Sequence, residues 1–172
     1  MSTNHEFVPA SPAFVGRVRN TTRLVGALSV LAVGIVMIGI AVSGFMLLPV
    51  APASAIFTVF MGWLAGAFAI CSALSLASGS SCVNTGAFNL TFARRTRSTL
   101  LFLAVASILP SGIALLILVA TGISSGGLSP AAAVCLVLVL CPFVVSMIDM
   151  MVGRRLLDPN KVVVGPYGTP QR

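Results

Sequence analysis

Four uninterrupted apolar runs constrain this chain more than any other feature. They cover about 24–48, 53–77, 100–121 and 129–152, and none contains a Lys or Arg. Each is about 22–25 residues long. A helix needs about 20 residues, at 1.5 Å rise, to cross roughly 30 Å of hydrocarbon. Membrane-spanning strands would instead show roughly ten-residue segments of alternating polarity, so helices are expected here. A water-soluble globule is the competing reading, and composition argues against it. The chain is 58% hydrophobic and only 8% charged, whereas soluble domains are about a quarter charged. The expected fold class is therefore all-α, a four-helix transmembrane bundle over residues 23–156. It is flanked by a basic N-terminal tail (1–22) and a C-terminal tail (157–172), whose Pro, Gly and small polar residues predict flexibility.

Charge placement predicts which way the bundle faces. The connectors "LPVAPAS" and "GISSGGLSPA" carry no charge. All ten basic residues lie elsewhere: Arg17, Arg19 and Arg23 before the first run; Arg94, Arg95 and Arg97 between the second and third; and Arg154, Arg155, Lys161 and Arg172 after the fourth. Four crossings put those three regions on one side. The positive-inside rule then assigns both termini and the middle loop to the cytoplasm or its organellar equivalent. The expected location is a plasma or inner membrane, with an organellar membrane such as the mitochondrial inner membrane as the alternative. Arg94, Arg95, Arg97, Arg154 and Arg155 are expected to meet anionic lipid headgroups, at about 1 kcal/mol per Arg near the surface. A net charge of +7 also raises a nucleic-acid partner. The arginines form no stripe interleaved with aromatics, so none is expected.

Processing signals are weak. "VAPASA" (50–55) resembles a signal-peptidase site, but the preceding apolar run exceeds the 7–15 residues of a signal h-region, so an uncleaved first span is expected. The Arg-bearing N-terminus with a single acid, Glu6, also loosely suits a mitochondrial presequence. Sequons at Asn20 and Asn89 fall on the predicted cytoplasmic side, where glycosylation is not expected. "AFNLTF" (87–92) fits a short amphipathic helix through Phe88 and Phe92, and equally an extended segment with alternating Phe88, Leu90 and Phe92.

The second run has two unlike faces. At 100° per residue, Ala55, Thr58, Gly62, Ala65, Gly66, Ala69 and Ala73 share one arc, opposite Phe57, Phe60, Trp63, Leu64 and Phe68. Small residues let helix backbones approach closely in lipid, and Gly62 and Gly66 form a GxxxG. This face serves packing inside the bundle or, alternatively, docking of a second copy or a partner. Pro110 and Pro142 lie near the middle of the third and fourth runs and predict kinks. They free the carbonyls of Ala106 and Leu138, which Ser107, Ser111 and Ser146 are placed to serve.

Asp149 is the only acid inside a run, and an intramembrane carboxylate is a functional candidate by default. Its helix offers no cation at i+3 or i+4. The expected partner is therefore across the bundle: Arg23, Arg94, Arg95 or Arg97. The four cysteines contain no CxxC pair and read as small apolar residues. The single histidine, His5, lies in the N-terminal tail, and no nucleophile–base–acid set, phosphate loop or metal-ligand spacing is present. No enzymatic activity and no cofactor are expected. The expected role is an accessory or scaffolding subunit of a larger membrane complex, in contact with other membrane proteins and anionic lipid. The alternative is a small transporter or channel component built on the proline-broken third and fourth helices.

Overall fold

The structure, a computed structural model, describes residues 7–84 and 87–158. Four long helices dominate it: α1 (Pro12–Leu47), α2 (Pro52–Ser78), α3 (Leu90–Ser124) and α4 (Pro130–Leu156). All four are long and apolar enough to cross a membrane. They start where the chain supplies caps. Ser11, Asn89 and Ser129 accept hydrogen bonds from the backbone N–H of Phe14, Phe92 and Ala132, and Pro12, Pro52 and Pro130 occupy first-turn positions where a missing N–H costs nothing.

The helices run alternately up and down. α2 and α4 also touch across the middle, which holds α1 and α3 at opposite corners. Two turns make the distal connections. Leu48–Ala51 joins α1 to α2, and a turn through Gly126 at φ 74° joins α3 to α4, a left-handed conformation that glycine adopts without a Cβ clash. α1 has 36 residues and α3 has 35, about 54 and 52 Å at 1.5 Å per residue. Both therefore outrun a hydrocarbon layer of about 30 Å, and the excess carries arginines. The first of these extensions corrects the expected N-terminal tail: α1 begins at Pro12, not near Leu24.

A small cap closes the arginine-bearing end. Phe7–Pro9 (β1) pairs antiparallel with Ala87–Asn89 (β3), which pairs on its other edge with Val83–Asn84 (β2). A 3₁₀ turn, Gly79–Cys82, links α2 to this sheet. "AFNLTF" is thus both of its alternatives in succession, a strand to Asn89 and helix from Leu90. Phe88 is fully buried among Val18, Cys82, Val83, Ala93 and Leu157, with its ring edge-on to Phe14 at 5.9 Å. Residues 7–22 and Leu157 are consequently built into folded structure, where the sequence predicts flexible tails. His5, Glu6, Lys161 and Arg172 lie outside the described residues.

Small residues bring the helices together. The buried positions of α2 are Ala55, Thr58, Gly62, Ala65, Gly66, Ala69, Ser72, Ala73 and Leu76. Gly62 faces Ile40 and Val139, and Gly66 faces Met37, so the GxxxG lies against α1 and α4 within the bundle. Gly26 is the position where backbone itself blocks a side chain: a Cβ there would stand 2.8 Å from the Ala73 carbonyl oxygen. α3 and α4 stay helical through Pro110 and Pro142, both buried.

Candidate functional site

Polar side chains buried inside the bundle form the first cluster. Ser29 on α1 donates a hydrogen bond to Asp149 Oδ1 on α4 at 2.6 Å. Asp149 is fully buried, and its Oδ2 has no hydrogen-bond partner. The expected arginine partners lie elsewhere. Arg23 donates from Nε to the Ser80 hydroxyl at 3.3 Å. Gly153 of α4 packs against Leu100 of α3, which puts Arg97 and Asp149 on opposite sides of that level, about 10 Å apart along the axis at 1.5 Å per residue. Depth explains the correction. The arginines sit at the bundle's end, whereas Asp149 is two turns inside it and faces inward.

The hydroxyls near the prolines also depart from expectation. Ser107 donates to the Ala104 carbonyl at 2.8 Å, not to Ala106. Ser111 and Ser146 are buried without a partner, as are Thr58 and Ser72. None of the three serines placed to serve the freed carbonyls does so. Further toward the distal turns the core is mainly apolar, with Ile40, Ala114, Leu118, Cys135 and Val139 closely packed and Ser43 and Thr58 buried beside them. Trp63 is half-exposed and donates from Nε1 to the Met37 carbonyl at 3.2 Å, tying α2 to α1.

The second cluster is cationic. Arg94, Arg97 and Ser98 of α3 and Arg154 of α4 line one cleft of about 370 Å³, with Leu101 beneath them. The α3 residues recur at i, i+3, i+4 and i+7, which is one helix face. Arg95 and Arg155, from the same predicted headgroup set, do not line it. The chain holds three acids. Glu6 lies outside the described residues, Asp149 is bound to Ser29 inside the bundle, and Asp158 follows the end of α4.

All four cysteines are free thiols, Cys82 and Cys135 buried and Cys71 and Cys141 more open. Among the described residues, no three His, Cys, Asp or Glu side chains come together as metal ligands would. No protein-family model, curated protein or solved structure matches the chain.

Proposed function

We propose that the protein is a non-catalytic, four-crossing membrane subunit that acts by association, as an accessory or scaffolding component of a larger membrane complex. Both termini and the 79–89 cap face the cytoplasm or its organellar equivalent, following the ten-to-zero distribution of basic residues. The outward side of α2 carries the reading. The small-residue arc from Ala55 to Ala73 is used inside the bundle, and Phe57, Phe60 and Trp63 point outward from the opposite side. Two apolar grooves flank them. One, of about 430 Å³ between α1 and α2, includes Phe45, Phe60 and Trp63; the other, of about 440 Å³ between α2 and α3, includes Phe68, Phe102 and Leu109. Rigid aromatics beside grooves suit the ridge-and-groove packing of a neighbouring helix, which in lipid is driven by close contact.

Extraction in mild detergent followed by native mass analysis tests this reading. A stable complex with other membrane proteins, lost on Phe60→Ala with Trp63→Ala, is the expected result. A chain that is always alone contradicts it. The second reading, a small transporter component, draws on the unpartnered Asp149, Ser72, Ser111 and Ser146 in the bundle interior. It predicts solute flux in proteoliposomes holding this chain alone. The apolar layer at Ile40, Ala114 and Val139 favours the first reading, since it separates those groups from the buried Ser43 and Thr58 nearer the distal turns.

A further inference from the structure

We propose that the cleft between α3 and α4 binds the phosphate of an anionic phospholipid, a role that stands apart from any protein partner. Three guanidinium groups, Arg94, Arg97 and Arg154, line it together. Like charges gathered at the edge of a low-dielectric slab repel one another unless an anion sits between them. Neither acid among the described residues, Asp149 or Asp158, lines the cleft.

Arg154 comes from the last turn of α4, where the helix dipole favours a cation. Arg94 and Arg97, the fifth and eighth residues of α3, lie past its first turn and are held by neither helix end. Guanidinium forks suit phosphate oxygens bidentately, and the Ser98 hydroxyl adds a donor.

Lipid fits better than free phosphate because of what lies deeper along the same face. Leu101 lines the cleft, and Ile108, two turns further along the same face of α3, continues it as an exposed apolar side chain. A phosphate seated among the arginines would thus have its acyl chains beside an apolar helix surface. A soluble phosphate would leave that surface unused.

The test is native mass spectrometry of the full chain in detergent with equimolar phosphatidylglycerol and phosphatidylcholine of identical acyl chains. The expected result is preferential retention of phosphatidylglycerol. Arg97→Gln and Arg154→Gln should each weaken it about fivefold, the equivalent of one arginine near an anionic surface. Arg154→Lys should lie in between, and Arg19→Gln, on the exposed start of α1, should leave retention unchanged. Equal retention of the two lipids by the unaltered chain would overturn the proposal, and that arm needs no variant to fold. So would an Arg19→Gln loss as large as that of Arg97→Gln, which would mark a diffuse charge effect. Displacement of the lipid by excess inorganic phosphate would reassign the cleft to a soluble ligand.

Discussion

Ser29 and Asp149 are 120 positions apart in sequence and 2.6 Å apart in space, a hydroxyl donor from α1 meeting a carboxylate oxygen from α4. Both side chains are buried, so the bond locks the first helix to the last. Losing the donor leaves Asp149 buried with neither oxygen served, at a cost of about 1–3 kcal/mol. Losing the acceptor costs less, because a helical serine can turn back to its own i−4 carbonyl.

Ser29→Ala is accordingly expected to lower thermal stability in detergent by more than Asp149→Leu does. The double variant should recover most of the Ser29→Ala loss, since removing both partners of a buried polar pair is nearly neutral. Exchanging charge between Asp149 and Arg23, Arg94, Arg95 or Arg97 should give no rescue. Thermal unfolding of the single and double variants measures all of this.

The α1–α2 contact predicts opposite outcomes for two glycines of one helix. Gly26→Ala drives a methyl to 2.8 Å from the Ala73 carbonyl oxygen and 2.9 Å from the Ala77 Cβ, so backbone must move. A loss of about 1–3 kcal/mol is expected. Gly34→Ala meets nothing within 4 Å and should stabilise by up to about 1 kcal/mol through helix propensity. The measurement is again thermal unfolding of each variant beside the parent.

The cap depends on Phe88. Removing this fully buried ring, which meets Phe14 edge-on, is expected to cost about 3–5 kcal/mol locally. The four long helices should survive Phe88→Ala, and the cap should open. Faster hydrogen exchange at residues 7–8 and 87–89, with new maleimide reactivity at Cys82, is the expected signature. Unchanged protection of both strands would show that the cap is held by something else.

The parts of this architecture that were legible in the sequence are those written by local repetition. Run length announces the four helices, and the 100° spacing of Ala55, Gly62, Ala69 and Ala73 marks the arc of α2 that is buried. Start signals were available too: Ser11–Pro12 is a cap followed by a first-turn proline, and it places the start of α1 at Pro12. The sheet was not legible. Its strands have two or three residues each, and β1 finds β3 some 80 positions away, with no periodicity to betray it. The Ser29–Asp149 bond was hidden for another reason. A serine inside an apolar run is common, and only the bundle's depth register separates Asp149 from the arginines. The cationic cleft was half visible, since Arg94, Arg97 and Leu101 share a helical face, whereas Arg154 joins them only through the α3–α4 contact.

The most direct test of the account is the side of the membrane on which each end of the bundle lies. In a cysteine-free background, single cysteines replace Ser125, in the α3–α4 turn, and Asn20, on the arginine-bearing end of α1. Intact cells are then treated with a membrane-impermeant maleimide, or intact organelles if the chain is organellar. The account predicts labelling of Ser125→Cys from outside, and of Asn20→Cys only after the membrane is opened. Labelling of Asn20→Cys in sealed membranes, or protection of Ser125→Cys, would contradict it.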